Sequence, residues 1–332
     1  MNRGALCRLA MVGLGLLACE QQNAPATEVA ASGSSRAAPA PEAKASVAPP
    51  AASGVPVAVP RTPVEKVRLS LPQGLERTSR GYRGALPGGG SIALVFATSE
   101  QPLAARAPAA LAGLAAEVAP AAVAPTAFRR IELKALLAGA KDDKTRRKMG
   151  NELRVLADGR VETTITLLPE KRLLALEVGR VLEGTRIHKW ETELMSRGQP
   201  TEPKALLAGY QTVLALDSLC FNLLRTQLVI DEATGSVLAL EDNDAFSAQP
   251  RDGAVGDGLA RLSRHLTFSK SLESRLRELD RARIERAFSA PGVGLLVTPR
   301  QVQETSERRD ALLRLFDRRI KQRGRDASLA LP

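Results

Sequence analysis

The sequence predicts an α+β fold in two lobes, with a β-rich lobe over residues 64–203 and a helical lobe over residues 204–325. Short apolar runs separated by glycine turns dominate the first range, which is typical of hairpins. Apolar residues at helical spacing dominate the second range, and one more hairpin pattern interrupts it after residue 222. With 332 residues, the chain is long enough to bury a sizeable core in these two ranges.

The β-rich range begins with alternating apolar residues that predict a strand over residues 66–72. A glycine turn at residues 87–90 predicts a hairpin within Tyr82–Ala97. The alanine-rich residues 103–124 predict one helix followed by a loop. The remaining predictions here are a helix over Lys134–Arg147 and a hairpin about Asp158-Gly159, with arms at residues 153–156 and Val161–Leu168.

The helical range begins with apolar residues at helical spacing over Lys204–Asn222. A hairpin follows, in which Leu228–Ile230 and Val237–Leu240 flank a turn that ends in Gly235. Two amphipathic helices close the chain, one over residues 268–288 and one over residues 300–323.

Residues 1–18 have the pattern of an export signal. Arg3 and Arg8 provide its positive charge, and the apolar run Leu9–Ala18 is too short to span a membrane. Residues 19–63 are rich in Ala, Pro, Ser and Gly, and such a segment cannot bury enough apolar area to offset its ordering entropy. The sequence therefore predicts a signal peptide followed by a disordered tether.

The residues Leu16-Leu17-Ala18-Cys19 resemble the lipobox of bacterial lipoproteins, in which the cysteine is acylated and becomes the mature N-terminus. The resemblance implies a lipid on Cys19 and a location in the cell envelope. Glu20 in the next position implies, by the rule for Gram-negative lipoproteins, the outer membrane, facing the periplasm or the cell surface. An ordinary secretory signal with an incidental cysteine is the alternative.

The formal net charge of +11 favours anionic partners such as lipid headgroups, nucleotides or acidic polymers. Only 3% of the residues are aromatic and no basic–aromatic interleaving occurs, which argues against nucleic acid. The expected partners are therefore a membrane, through the lipid on Cys19, and an unidentified envelope protein or anionic ligand.

Several kinds of chemistry find no support in the sequence. His188, His265 and Cys220 have no companions at metal-ligand spacing, and we interpret all three as structural. No Gly-x-Ser-x-Gly motif is present. Gly88-Gly89-Gly90-Ser91 offers backbone N–H groups to a phosphate but lacks the lysine of a P-loop, so a plain turn is the better interpretation.

An acidic group follows the second strand of the C-terminal hairpin. Asp242, Asn243 and Asp244 offer the hard oxygen ligands that suit Mg²⁺ together with phosphate. The alternative is that Glu241–Asp244 is only a polar turn. The sequence leaves both interpretations open.

The segment around this group resembles the catalytic region of atypical kinases that include the Golgi secretory-pathway casein kinases, with HipA-type and phosphoinositide kinases as distant relatives. The matching residues are Asp217, Asn222, Arg225, Val229-Ile230-Asp231, Ala233-Thr234-Gly235, Asp242, Asn243 and Phe246. The resemblance implies a two-lobed kinase-like fold with a β-hairpin at the active-site position, Asp242 as the metal-binding aspartate, and Mg²⁺ and ATP as cofactors.

The departures from the kinase pattern are equally specific. Leu224 stands at the position of the catalytic aspartate, and Ala97 stands where the strand of the relatives ends in a phosphate-binding lysine. A leucine cannot orient a hydroxyl group, and phosphoryl transfer depends on such positioning. No glutamate follows as a lysine partner unless Glu117 serves. These replacements predict a degenerate kinase that binds Mg²⁺ and ATP weakly or not at all.

Three functions are compatible with the sequence. The first is a membrane-tethered pseudokinase that acts as a binding or regulatory module in the cell envelope. The second is an active ATP-dependent kinase of the secretory casein kinase type, in which Asp217, Asp242 or Asp244 takes over the metal and base roles. The third is an envelope-structural lipoprotein with no ligand.

Overall fold

The computed structural model describes residues 63–78, 81–169, 174–177, 190–191, 204–222, 227–231, 236–240, 245–246 and 258–332. These residues belong to one compact unit, Val57–Pro332. Within the described residues, no helix is long and apolar enough to cross a membrane. The predicted signal peptide, Cys19 and nearly all of the predicted tether lie outside the described residues.

A five-stranded antiparallel sheet dominates the first half of the chain. Its strands, in the order in which they lie in the sheet, are β1 (Gln73–Thr78), β2 (Gly81–Ala85), β3 (Ser91–Phe96), β5 (Arg160–Leu167) and β4 (Thr126–Glu132). The hairpin predicted around residues 87–90 is confirmed, because Tyr82 pairs with Leu94 and Ala85 pairs with Ser91. Three consecutive glycines with positive φ, Gly88–Gly90, make this turn.

One face of the sheet carries a hydrophobic core of its own. Alternate residues of the strands, among them Ile92, Leu94 and Ile165, are buried there against three helices. These helices are α1 (Pro63–Leu69), α3 (Leu133–Ala138) and α4 (Asp143–Glu152).

The strand predicted over residues 66–72 is wrong, because residues 63–69 form α1. Pro63 at its first position, Glu65 in its first turn and Arg68 in its last turn all suit a helix. The alternation does not correspond to burial either: Val67 is buried, whereas Leu69 and Leu71 are 58% and 45% exposed.

The helix predicted over Lys134–Arg147 is in fact two helices, α3 and α4. The chain leaves α3 at Gly139 to pair with β1: Leu75 N donates to Gly139 O at 2.8 Å, and Lys141 N donates to Leu75 O at 2.9 Å. Asp142 then caps α4, with its Oδ1 accepting from Thr145 N at 2.7 Å.

The turn at Asp158-Gly159 is confirmed, because Leu156 N donates to Arg160 O at 2.8 Å and Gly159 has a φ of 77°. Its first arm is not a strand, since Val155 makes only an isolated bridge to Val161. β5 instead pairs with β3 and β4 along its length.

The other face of the sheet meets a second and larger core. Here α2 (Arg106–Val118), which confirms the helix predicted in residues 103–124, packs against the C-terminal helices. The first of these is α5 (Lys204–Leu219), which confirms the helix predicted from Lys204 and is buried along most of its length.

A three-stranded antiparallel sheet lies beside α5. It consists of β6 (Leu174–Glu177), β7 (Gln227–Asp231) and β8 (Ser236–Leu240), with β7 in the middle. The predicted hairpin is confirmed by the pairs Val229↔Leu238 and Asp231↔Ser236.

The chain ends in short helices and one long one. They are α6 (Gly258–Leu262), α7 (Lys270–Glu278), α8 (Arg281–Ala287), α9 (Pro299–Arg323) and α10 (Arg325–Ser328), with the two-residue strands β9 (Ser289–Ala290) and β10 (Gly294–Leu295) before α9. The single helix predicted over residues 268–288 is broken at Leu279-Asp280, because Asp280 caps α8 through its side chain and Arg283 N. The helix predicted over residues 300–323 is confirmed.

Together these elements give an α+β fold, with the five-stranded sheet in the first half and helices in the second. The predicted fold class is therefore confirmed.

Candidate functional site

A cleft lies between the five-stranded sheet and the β7–β8 hairpin, with a volume of about 630 Å³ including its open mouth. The hairpin is fixed there by the segment after α2, since Ala239 N donates to Ala122 O at 2.7 Å. The residues that line the cleft are Thr78, Tyr82, Arg83, Ala93, Leu94, Val95, Pro108, Val123, Thr126, Thr166, Leu168, Ala239 and Leu240.

The lining is mainly aliphatic, with a few hydroxyl groups and one cation. Two of the hydroxyls contact each other, with Thr126 Oγ1 and Thr166 Oγ1 3.1 Å apart, and Thr126 Oγ1 also donates to Ala124 O at 2.8 Å. None of the lining residues carries a carboxylate. Such a surface suits an apolar or aromatic group with a few hydrogen-bonding atoms.

Ala97 lies at the inner end of this wall. Ala93, Val95 and Ala97 are alternate residues, so their side chains point to the same side of the strand. Ala97 is 2% exposed, and its backbone continues the sheet: its N donates to Glu162 O at 2.9 Å, and its O accepts from Arg154 N at 2.9 Å. The position predicted for a phosphate-binding lysine therefore holds a buried methyl group.

The cross-strand neighbour of Ala97 is Glu162 of β5, a glutamate that is 2% exposed. Arg106, the first residue of α2, binds both of its carboxylate oxygens, with Nε–Oε2 at 2.8 Å and Nη2–Oε1 at 2.9 Å. Arg130 of β4 adds a third contact, Nη2–Oε1 at 3.1 Å. Burial opposes the charge on Glu162, but the hydrogen bonds from the two arginines outweigh it and lower the pKa of Glu162.

The sequence reasoning missed this cluster of Arg106, Arg130 and Glu162. One signal was present: a glutamate within the strand residues Val161–Leu167 interrupts an otherwise uncharged pattern, and a buried carboxylate requires partners. Glu117, named as an alternative partner for a lysine, lies in the last turn of α2, at the opposite end of the helix from Arg106.

Two of the predicted site residues lie together at the end of α5. Asn222 N donates to Asp217 O at 2.8 Å, and Asn222 Nδ2 donates to Asp217 Oδ1 at 3.3 Å. Both side chains are buried, and Asn222 Oδ1 has no hydrogen-bond donor among the described residues. Phe246 N donates to Cys220 O at 2.7 Å, which holds the residues after the hairpin against the same helix end.

The other predicted site residues lie outside the described residues. They are Leu224, Arg225, Asp242, Asn243 and Asp244. His188 also lies outside the described residues. Within the described part of the chain, no group of three His, Cys, Asp or Glu residues is arranged to hold a metal ion.

The described residues fit Mg²⁺ and a nucleotide only in part. The aliphatic wall suits a base, and the oxygens of Asp217 and Asn222 are of the kind that Mg²⁺ accepts. Among the described residues, the end of β3 holds Ala97 where a lysine would meet a phosphate, and Arg106 and Arg130 beside it are bound to Glu162.

Cys220 and His265 both lie within the described residues, and their surroundings are consistent with structural roles. Cys220 is buried at the end of α5. His265 is 2% exposed, and its Nδ1 lies 3.0 Å from Gln211 Nε2. Gln211 also contacts Thr267 O and Ser269 N, so the histidine belongs to the packing of α5 against α6 and α7.

Comparison with known proteins places the fold. The chain is similar to the structure of hydra Fam20 with sugar, with a TM-score of 0.58 and 14% identity over 81% of this chain and 93% of that one. It is also similar to the Golgi casein kinase, with a TM-score of 0.56 and 12% identity over 78% of this chain and 76% of that one. A second structure of that kinase, with Mn/ADP bound, has a TM-score of 0.56 and 13% identity.

These similarities show that the chain has a Fam20-like kinase fold. They confirm the kinase-like fold that the resemblance of residues 208–288 implied. No family model matches the sequence, and neither does any curated protein. At 12–14% identity the likeness concerns the fold alone.

Proposed function

We propose that this chain is a lipid-anchored, kinase-like binding module of the cell envelope that does not transfer phosphate. One observation carries the proposal. The cleft between the sheet and the hairpin is present, whereas the end of β3 holds Ala97 beside a glutamate that two arginines already bind. Among the described residues, the kinase fold thus keeps a place for a ligand but has no lysine at the end of β3 to hold its phosphates.

The charge arrangement supports this proposal. Phosphoryl transfer relies on cations that stabilise the charge of the transferring group. Arg106 and Arg130 both bind Glu162, the cross-strand neighbour of Ala97, so their charges are already paired. Leu224, at the position of the catalytic aspartate by resemblance, supports the same conclusion because it cannot orient a hydroxyl group.

The ligand of such a module is a small anionic or aromatic compound, or a weakly bound nucleotide with Mg²⁺. The partners are the membrane, through a lipid on Cys19, and an envelope protein. The location that we propose is the outer membrane, on its periplasmic or outer side, because Glu20 follows the cysteine.

Thermal denaturation with ATP and Mg²⁺ tests the binding part of the proposal. A ligand that binds only the folded state raises stability by RT ln(1 + [L]/Kd), so a weak nucleotide site gives a small, concentration-dependent rise in Tm. We expect Asp242→Ala to abolish that rise. The control Asp326→Ala, which removes an exposed carboxylate from α10, should retain it.

Phosphate incorporation separates the proposal from the alternatives. With labelled ATP and any protein acceptor, we expect no incorporation above that of heat-denatured protein. Incorporation that Asp242→Ala removes would instead identify an active kinase with rearranged chemistry. No change in Tm at any ATP concentration would contradict nucleotide binding and favour a structural lipoprotein.

A further inference from the structure

The C-terminal part of α9 is strongly basic. Residues 308–325 contain eight Arg or Lys residues and two Asp residues, a net side-chain charge of +6. The N-terminal half of α9 is different, since Glu304 and Glu307 accompany Arg300 there. The excess of positive charge is therefore confined to one end of the helix.

Three of these cations form a stripe on the outer face of the helix, and we call Arg314, Arg318 and Lys321 the basic stripe. Their spacing of four and three residues places them on one face. All three are exposed, and none has a hydrogen-bonding or ion-pair partner among the described residues. Leu312, Leu315 and Phe316 are on the buried side of α9 and belong to the core.

The neighbouring charges are already engaged. Arg319 and Arg323 donate at 2.8 Å to the carbonyls of Ser263 and Leu266. The two acidic side chains nearest in sequence are also paired, Asp310 with Arg309 at 2.8 Å and Asp317 with Arg277 at 2.5 Å. Arg319 and Arg323 stay positively charged in these contacts, and other arginines already pair the two aspartates, so the basic stripe lies in a region of net positive charge.

The helix dipole does not explain these cations. Its favourable effect on positive charge falls off within the last turn of a helix. Arg314 and Arg318 precede that turn, since α9 ends at Arg323. Exposed, unpaired cations on one face are typical of a surface that binds anions.

We propose that the basic stripe of α9 docks this domain on the anionic headgroups of a lipid bilayer. The choice of a lipid surface, rather than a soluble polyanion, rests on the proposed function, because a lipid on Cys19 would keep the domain beside a membrane. Each Lys or Arg near an anionic headgroup surface adds about 1 kcal/mol of attraction to whatever affinity the lipid supplies.

The proposal is tested by vesicle co-sedimentation with unlipidated protein, residues 19–332 carrying Cys19→Ser. Residues 57–332 form a compact unit of their own, so removal of residues 1–18 takes nothing from it. The vesicles contain phosphatidylcholine with or without phosphatidylglycerol. We expect binding only to the phosphatidylglycerol vesicles, and weaker binding as the NaCl concentration rises.

The test variant carries Arg314→Gln, Arg318→Gln and Lys321→Gln. Each cation near an anionic surface contributes about a fivefold factor in binding, so the variant should bind roughly 100-fold more weakly. The matched control carries Lys134→Gln, Lys144→Gln and Arg147→Gln, three exposed cations of α3 and α4, and should bind like the parent. Unchanged Tm values verify that both variants are folded.

Three results would overturn the proposal. In the first, the basic-stripe variant binds vesicles as the parent does. In the second, both variants weaken binding equally, which would indicate net charge rather than this face. In the third, the parent binds a sulfated polysaccharide through the stripe but no vesicle, which would make the occupant a soluble polymer. Failure of the Cys19 anchor leaves this assay unaffected, because the protein carries no lipid.

Discussion

The carboxylate of Glu162 is tolerated inside the protein because two arginines from different elements bind it. Arg106 comes from α2 and Arg130 from β4, so the cluster joins a helix to the sheet at the inner end of the cleft. The arginines are themselves only partly buried, at 24% and 32% side-chain exposure, which keeps their desolvation cost moderate. The cluster is therefore a structural link beside Ala97, the position that the resemblance predicts for a phosphate-binding lysine.

We predict that Glu162→Gln lowers the free energy of unfolding by about 2–4 kcal/mol at pH 7, because two arginines then face a neutral amide. Chemical denaturation measures the change. Glu132→Gln, an exposed position on the same sheet, is the control and should change stability by less than about 0.5 kcal/mol.

The same carboxylate makes a pH-dependent contribution. The pKa of Glu162 is lowered in the folded state, so its stabilisation is present above the unfolded pKa of about 4.3 and is lost as the pH falls through the folded value. Below about pH 4 the difference between parent and Glu162→Gln should therefore shrink. A constant difference down to pH 2 would contradict the assignment.

His265 gives a second pH dependence in another window. Burial lowers the pKa of His265 to about 4, with Arg261 and Arg264 adding to the effect and Glu191 opposing it. In the unfolded chain His265 is protonated below about pH 6.5, whereas in the folded protein it stays neutral until about pH 4. The free energy of unfolding therefore falls as the pH is lowered over that range.

We predict that the free energy of unfolding falls by roughly 3 kcal/mol between these two pH values in the parent, and that His265→Asn lacks this part of the loss. Asparagine is the matched replacement because its Oδ1 can accept from Gln211 Nε2 as Nδ1 does. Urea denaturation at several pH values measures the slope of the free energy of unfolding against pH in each protein. Equal slopes in both proteins would show that the histidine is not buried in this way.

At the scale of elements, two helix contacts depend on glycine. Gly113 of α2 lies so close to α8 that an added Cβ would be 2.0 Å from Ala287 O. Gly258 of α6 approaches α5 in the same manner, with an added Cβ 2.1 Å from Leu214 O. In both pairs the obstacle is backbone, which cannot move aside as a flexible side chain can.

We predict that Gly113→Ala lowers the free energy of unfolding by about 2–3 kcal/mol, because α2 and α8 must separate. Gly150→Ala in α4 is the matched control. An added Cβ at Gly150 meets nothing within 4 Å, so the higher helix propensity of alanine should raise stability by about 0.5–1 kcal/mol. Changes of the same sign in both variants would contradict the close contact. Thermal and chemical denaturation measure both.

The elements that the sequence predicted well are those with strong local signals. The glycine turn at 87–90, the Asp158-Gly159 turn and the long helix from Pro299 each depend on residues close in sequence. One error arose where tertiary pairing overrode the local pattern. The helix over Lys134–Arg147 was broken because Leu75, far away in sequence, pairs with residues 139 and 141.

At the scale of the molecule, the sequence predicted the fold class and the kinase-like fold through a short segment of matching residues. It did not predict the Glu162 cluster, because Arg130 meets Glu162 through the pairing of β4 with β5, and Arg106 joins them through the folding of α2 onto the sheet. Of the candidate site, Asp217 and Asn222, which the resemblance selected, contact each other at the end of α5. The roles of Asp242, Asn243 and Asp244 stay predictions.

The lipid anchor is a prediction about the whole chain. We expect Cys19→Ser to release the full-length protein from the membrane pellet into the soluble fraction, because the lipid would supply most of the membrane affinity. Fractionation at high salt is the appropriate measurement, since it removes the electrostatic contribution of the basic stripe. Retention of the variant in the pellet at high salt would show that the anchor is assigned wrongly.

α2 shares its core with the C-terminal helices rather than with the helices behind the sheet. Pro108, which lines the cleft, therefore belongs to a helix fixed to α5, α7 and α8. A compound that enters the cleft would therefore contact a helix whose position is already fixed, and its binding would require little conformational change. We therefore expect the cleft to be preformed. The shape complementarity of the compound, and not a closing motion of the protein, would then decide which molecules stay bound.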